Sequence, residues 1–363
     1  MKRLILFVFL SLVLGSCTAG GPESDLVRST ADAEAFATVL AEPEPTATPT
    51  ATPVPPTPTP VPDEVYTGVI LGTDWDPRRP ERNMFGIRSD VFVIYSFVVR
   101  PGVGVIDLDF FSLPRDLWIP VPCSPLDPSL NGYDRINAAY AYGRFECVKD
   151  TVELLGFDVN APIFALNMRG FVSLIDKMGG ITITPAITYS DKCGNFQGTE
   201  GGDYGWRTWK EGVEYEMDGN LALCYARARM GAVHGDVDRN RRHLEIITAM
   251  INQFPERIFD SDDRLDAVAE LMGVWTWAST YVETDLTIVD IVKFGGYGID
   301  MLNGDIPYLV HRLEIDALEY YRTPIYNASV LLPRVDVEEW MSCVMNDHEG
   351  LRDCVEENLL EGD

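Results

Sequence analysis

The sequence predicts an α/β protein: an α-β-α sandwich on a central mixed β-sheet, preceded by an N-terminal signal and a Pro/Thr-rich tether. Three observations carry that expectation. Tyr66 to Gly72, Asp90 to Val99 and Gly104 to Leu113 are continuous rather than alternating apolar runs, as expected of central strands covered on both faces. Stretches of helical periodicity, 137–156, 163–178 and Asp236 to Phe254, are interleaved with strand-like segments, which argues for helices packed on a sheet. The chain has 363 residues, with 46% hydrophobic and 23% charged, room for one large domain with appendages.

Residues 1–17 read as an export signal. Lys2 and Arg3 give a positive start, and Leu4 to Leu14 an apolar stretch too short to cross a bilayer as a helix. It ends in Leu14-Gly15-Ser16-Cys17, which resembles the bacterial lipobox and implies cleavage before Cys17 and a lipid on its sulfur. The domain is then expected outside the cytoplasm, lipid-anchored to the membrane. Residues 18–62 form the tether: positions 42–62 hold nine Pro and six Thr, a composition that favours extended polyproline II.

The domain proper is expected over residues 63–335. Its first strand is followed by a loop, Trp75 to Ile87, that carries Arg78, Arg79 and Arg82. Gly179-Gly180 stops the second helix, and Ile181 to Thr184 alternates as a strand. Leu221 to Arg229 reads as a further strand, which places Arg227 and Arg229 on one face by the period of two. Pro255 ends the helix that opens at Asp236. Residues 336–363, with ten acidic residues and Arg352 as the one basic residue, are expected to form a solvated helical hairpin.

Six cysteines remain after Cys17: Cys123, Cys147, Cys193, Cys224, Cys343 and Cys354. An even count in an exported chain suggests three disulfides, and proximity favours 123–147, 193–224 and 343–354. The absence of a CxxC pair argues against structural zinc.

The chain carries 56 acidic against 29 basic residues, a net charge of −27. That excludes a general nucleic-acid binder and a polybasic grip on anionic lipid. The basic residues are nevertheless skewed, 23 Arg to 6 Lys. Many of them recur beside Asp at strand ends or on one helix face: Gly72-x-Asp74, Arg88-Ser-Asp90, Leu113-Pro-Arg115-Asp116, Arg135-Ile-Asn-x-Ala-Tyr140, Tyr225-x-Arg227-x-Arg229, and Asp236, Arg239 and Arg242/His243. Converging guanidinium forks match phosphate oxygens. Two carboxylates, Asp74 and Asp90, offer hard ligands for Mg²⁺ shared with a phosphate. Metal plus arginine suits phosphoryl transfer, and the sequence has no GxSxG, P-loop or HExxH motif.

These strings, in this order across roughly residues 65–260, resemble the LytR-CpsA-Psr family of bacterial cell-wall transferases. The resemblance implies an α/β sandwich with an apolar tunnel for a polyprenyl chain. It also implies transfer of a glycopolymer phosphate from a polyprenyl-pyrophosphate carrier to peptidoglycan or another wall glycan, with Mg²⁺ at the pyrophosphate. Carried over, Asp74 and Asp90 hold Mg²⁺. Arg88, Arg115, Arg135, Arg227, Arg229, Arg239 and His243 contact the pyrophosphate. Arg115, Asp236 and Arg239 are the catalytic group, with Asp236 orienting arginines or accepting the proton of the attacking hydroxyl. Phe164, Phe171 and Ile175 are candidates for the tunnel or for plain core. Three departures stand out. The family usually has Lys at Arg135 and Gln at His243, where the imidazole is expected to titrate near neutrality, and the loop after Asp74 is long and basic. A lipid on Cys17 stands where most members have a transmembrane helix. Two other readings use the same residues: a lipid-anchored binder of polyprenyl phosphates without turnover, and a pyrophosphatase acting on the same carrier.

Overall fold

The computed structural model describes residues 61–75, 86–126, 128–194, 205–228, 234–258, 276–303, 306–313, 315–323 and 327–346. Cys17, the tether up to residue 60, Arg78, Arg79, Arg82, Arg229 and Cys354, for which the sequence carries expectations, lie outside the described residues.

The three apolar runs are strands β1 (Glu64–Thr73), β2 (Ser89–Arg100) and β3 (Gly104–Leu113), joined as an antiparallel meander. Two short strands follow, β4 (Trp118–Pro120) and β5 (Tyr133–Arg135), and then helix α1 (Ala139–Glu153). Strand β6 (Val159–Asn167) leads into α2 (Met168–Lys177) and β7 (Ile181–Ile183). Next come β8 (Tyr189–Cys193), β9 (Gly205–Trp209), β10 (Tyr215–Met217), α3 (Gly219–Arg227) and α4 (Asp236–Ile258). The last segment holds β11 (Val282–Thr284), α5 (Ile288–Asn303), β12 (Tyr308–Arg312), β13 (Leu318–Arg322), β14 (Ser329–Pro333) and α6 (Val337–Asn346).

The central sheet is six-stranded in the order β11-β6-β1-β2-β3-β12. It is mixed: β6 runs parallel to β1 and β12 parallel to β3, while the other pairs are antiparallel. One face carries Leu71, Phe92, Ile94, Phe111 and Leu113, all at most 1% exposed and in one cluster with Tyr140 and Val148 of α1 and Trp340 of α6. Burying each such side chain contributes about 1.5–3 kcal/mol. Alternate residues of the same strands, Ile70, Gly72 and Val91, face a cavity on the other side. A mixed sheet with this two-sided burial is what the continuous runs predicted.

Several elements differ from expectation. Leu221 to Arg227 is helical: Asp218 caps α3 by accepting from the Leu221 amide at 2.8 Å. The Leu-Ala-Leu run has high helix propensity, and a short apolar run does not separate strand from helix by period alone. Arg227 is therefore on a helix rather than a strand, and its expected strand-face partner Arg229 lies outside the described residues. The expected helix at 163–178 begins at Met168; its first five residues complete β6, and Asn167 makes the switch by capping α2 at 3.0 Å from the Gly170 amide. Helix α1 is interrupted at Gly143 and Arg144, which leave helical φ/ψ. Helix α4 continues through Pro255 to Ile258. Helix α6 is not a solvated appendage, because Trp340 and Met341 are each 1% exposed in the main core. The sequence reading also missed α5. Its start is a reciprocal cap in which Thr287 Oγ1 accepts from the Asp290 amide and Asp290 Oδ2 accepts from the Thr287 amide.

Two close approaches fix the helical layer. Gly219 sits against α2 so tightly that a Cβ there would lie 2.2 Å from the Val172 carbonyl oxygen. Gly180, at φ 98°, makes the turn after α2 that the Gly-Gly pair predicted. The disulfides Cys123–Cys147 and Cys193–Cys224 form as expected. Cys343 is also disulfide-bonded, its expected partner being outside the described residues. Among the described residues no helix is long and apolar enough to cross a membrane.

Candidate active site

The C-terminal ends of β1 and β6 and the start of β2 meet α4, from Arg239 to Met250, at a cavity of about 370 Å³. Its walls are apolar: Ile70, Leu166, Phe171, Leu223, Ile247 and Met250. Its rim is charged, with Asp90, Arg115, Arg227 and Arg239. Sheet and helix hold their relation through Asn240, whose side chain donates to the Ser112 carbonyl at 3.0 Å. Gln253 adds a two-way bond to the backbone of Thr182 at 2.9 Å each way.

Arg115, just past β3, is the centre of the rim. Its Nη1 donates to Asp90 Oδ1 at 3.0 Å and its Nε to Asp236 Oδ1 at 3.1 Å. Asp116 Oδ2 stands 3.7 Å from the same Nε. Burial works against the guanidinium charge, but the carboxylates of Asp90, Asp116 and Asp236 outweigh it and raise the pKa of Arg115. Asp236 Oδ1 also pairs with Arg239 Nη1 at 2.9 Å, one turn along the helix. Asp236 is thus shared by two guanidinium groups. Burial raises its pKa, opposed by Arg239 and Arg115.

The remaining expected residues divide. Arg227 and Arg239 line the cavity, Arg227 from the last turn of α3. His243 lines it too, but it does not titrate near neutrality: burial first, then Arg239 and Arg242, lower its pKa to about 3. Its ring is therefore neutral. Arg135 is not a lining residue; its Nη2 donates to the Ser329 carbonyl at 2.8 Å and its Nε lies 3.2 Å from Asp116 Oδ1. Arg88 does not line the cavity either. Its backbone pairs with Asp74, whose Oδ1 accepts from the Arg88 amide at 2.9 Å and whose own amide donates to the Arg88 carbonyl at 3.0 Å. Arg242, expected on the same face as Arg239, is fully buried, with its guanidinium 4.2 Å from the centre of the Tyr189 ring. Of the tunnel candidates only Phe171 lines the cavity. Ile175 belongs to the buried cluster around Trp209 and Tyr225, and Phe164 packs towards Tyr95 at 6.4 Å. Sequence reasoning gave no role to Asp116, although it lay inside the Leu113-Pro-Arg115-Asp116 string.

Of the two expected Mg²⁺ ligands, Asp90 lines the cavity and Asp74 does not, its Oδ1 accepting from the Arg88 amide. Asp74 and Asp90 flank the facing pair Thr73 and Ser89 at the ends of adjacent strands. Among the described residues no group of three or more His, Cys, Asp or Glu is poised to hold a metal by protein alone. Two hard carboxylates leave the remaining positions to water and substrate phosphate, as Mg²⁺ prefers. Chemically the site combines convergent cations, carboxylates that aim them, and an apolar recess behind.

Comparison with known proteins identifies the family and the fold. A model of the LytR_cpsA_psr family matches residues 38–321. The polyisoprenyl-teichoic acid–peptidoglycan teichoic acid transferase TagU of Halalkalibacterium halodurans is 30% identical over 204 residues, 53% of this chain and 59% of that protein. TagU of Enterococcus faecalis is 26% identical over 251 residues, 66% of this chain and 71% of that protein. The chain thus spans less than two thirds of the first of these relatives. Biofilm regulatory protein A of Streptococcus mutans is 27% identical over 190 residues, 51% of this chain and 43% of that protein. The crystal structure of gbs0355 from Streptococcus agalactiae shares the fold, with a TM-score of 0.56 at 19% identity over 83% of this chain and 91% of that one. By the extent of the family match, this chain belongs to the LytR-CpsA-Psr family.

Proposed function

We propose that the chain is a phosphotransferase that moves a glycopolymer from a polyprenyl-pyrophosphate carrier to a hydroxyl of peptidoglycan or another wall glycan. One observation carries this reading: a charged rim of Arg115, Arg227 and Arg239 opens directly onto an apolar cavity. A pyrophosphate bonded to a long hydrocarbon has that same division of character. An anion site for a soluble phosphate would gain nothing from Ile70, Phe171, Ile247 and Met250 behind it. The names of the TagU relatives point to the same substrate class.

In the reaction, the acceptor oxygen forms a new bond to the phosphorus that carries the glycan. The bond from that phosphorus to the bridging oxygen breaks, polyprenyl monophosphate leaves, and the hydroxyl proton is lost to the medium. Arg115, Arg227 and Arg239 hold the pyrophosphate oxygens and stabilise the charge that builds on them. Asp236 keeps Arg115 and Arg239 aimed, the orienting role. Mg²⁺ on Asp74 and Asp90 would supply charge neutralisation at the phosphates. The neutral His243 offers an uncharged hydrogen-bonding edge to the site. Export and a lipid on Cys17 complete the reading, setting the domain beside a membrane-borne substrate.

The test is direct. The full chain, a polyprenyl-pyrophosphate glycan, peptidoglycan and Mg²⁺ are incubated and analysed for a glycan phosphodiester and polyprenyl monophosphate. Arg115→Ala is expected to cut both products by on the order of 100- to 1000-fold. Release of free glycan phosphate without the phosphodiester makes the chain a pyrophosphatase, and tight lipid binding without either product makes it a binder.

A further inference from the structure

Arg135 occupies the family's lysine position but stands off the cavity. It is attached to something the six motifs do not include. Its Nη2 donates to the Ser329 carbonyl at 2.8 Å, and Ser329 opens β14, beyond the end of the family match at residue 321. Two residues on, the Leu331 amide donates to the Asp116 carbonyl at 2.9 Å. Asp116 itself is divided between the two arginines, with Oδ1 3.2 Å from Arg135 Nε and Oδ2 3.7 Å from Arg115 Nε. Its backbone amide also bonds to the carboxylate of Asp236. The Arg115 carbonyl accepts from the Asn137 amide at 3.3 Å, and Trp118 faces Arg135 across the β4–β5 pair.

We infer that Asp116 is a positioning residue, which, clamped by Arg135 and β14, sets the aim of Arg115 into the cavity. The inference rests on the proposed function for its substrate and adds to it a brace from β14, beyond the matched residues. The physical reason lies in the fork of arginine. The Arg135 guanidinium donates to the Ser329 carbonyl through Nη2 and keeps its charge within ion-pair distance of the Asp116 carboxylate, its Nε making no hydrogen bond among the described residues, whereas lysine presents a single point charge without such a fork. Arg115 needs such a brace. It carries a charge in a half-buried place, and its Nε and Nη1 are already directed by Asp236 and Asp90. Asp116 adds a second carboxylate beside the same Nε, at 3.7 Å. The side chains of Asp116 and Arg135 are 19% and 25% exposed, so water competes only partly for these contacts.

The sign of one substitution separates positioning from mere proximity. A carboxylate that only sits near a bound phosphate repels it, so Asp116→Asn then tightens pyrophosphate binding. A carboxylate that aims Arg115 does the opposite: its loss weakens binding although a negative charge has gone. The experiment is titration calorimetry of the full chain with inorganic pyrophosphate and Mg²⁺, using Asp116→Asn, Arg115→Lys and the double variant. The expected result is a rise in Kd of about tenfold for Asp116→Asn, with no further rise when it is added to Arg115→Lys, because the effect passes through Arg115. Arg135→Lys, which keeps the charge and threatens folding least, is expected to raise Kd by about threefold. Asp116→Glu recovers part of the loss. Tighter or unchanged binding in Asp116→Asn, or additive effects in the double variant, overturns the inference. Failure of the unaltered chain to turn over the lipid-linked glycan, with these binding results intact, counts against the proposed function alone.

Discussion

Helix α4 carries two arginines three residues apart in two different worlds. Arg239 reaches the cavity and pairs with Asp236 at 2.9 Å. Arg242 is 0% exposed, lies over Tyr189 and donates to the Ala228 carbonyl, with Nε and Nη1 buried and without a hydrogen-bond acceptor among the described residues. Burial lowers the pKa of Arg242, whereas Arg115 at the rim, enclosed by three carboxylates, has its pKa raised. A guanidinium prepared for a phosphate is braced by carboxylates at the edge of a cavity. One buried against an aromatic ring serves packing.

The largest effect should come from breaking the braced side. Arg115→Ala is expected to cut transfer by on the order of 100- to 1000-fold while the chain stays folded, as read by product formation and by the thermal midpoint. Asp236→Asn removes the carboxylate that Arg115 and Arg239 share, and a tenfold to hundredfold loss of kcat, of that order, is expected. On the packed side the pattern inverts. Arg242→Ala should cost about 2–4 kcal/mol of stability through the space it leaves, measured by denaturant unfolding, with kcat per folded molecule kept. Equal losses of activity in Arg242→Ala and Arg239→Ala would erase the distinction.

A smaller effect sharpens it through pH. His243 has a folded pKa of about 3 against an ordinary value of 6.5. Between those values the unfolded chain binds a proton that the folded chain does not, so the contribution is full above about pH 6.5 and drains as pH falls toward 3. His243→Gln should flatten that part of the stability curve, measured by unfolding at a series of pH values. The wall itself bears on stability alone. Cys224 lines the cavity and is bonded to Cys193. Replacing both by Ser should lower stability by about 2–4 kcal/mol and leave the split between Arg239 and Arg242 unchanged.

The same contrast marks what the sequence could disclose. The sheet was legible because β1, β2 and β3 are continuous apolar runs, and few other elements explain three such runs in succession. The pairing of Asp90, Arg115 and Asp236 was legible as an association of motifs, since their strings lie at strand ends and at a helix start. Which arginine of α4 turns inward was not, because positions 239 and 242 both fall within reach of one face until the neighbouring layer is known. The misread of Leu221 to Arg227 has the same root: seven apolar-rich residues fit either period, and the decision came from the Asp218 cap. The neutrality of His243 depended on burial, a property of the folded chain. Asp116 was in view but silent, because its significance lies in contacts with Arg135 and β14, distant in sequence.

The central claim is that the charged rim and the apolar recess hold the two halves of one substrate. A crystal structure of the full chain with polyprenyl pyrophosphate and Mg²⁺ tests it most directly. The account predicts the two phosphates between Arg115, Arg227 and Arg239, and the first prenyl units against Ile70, Phe171 and Ile247. Phosphates bound away from Arg115, or a tail lying outside the cavity, would contradict it.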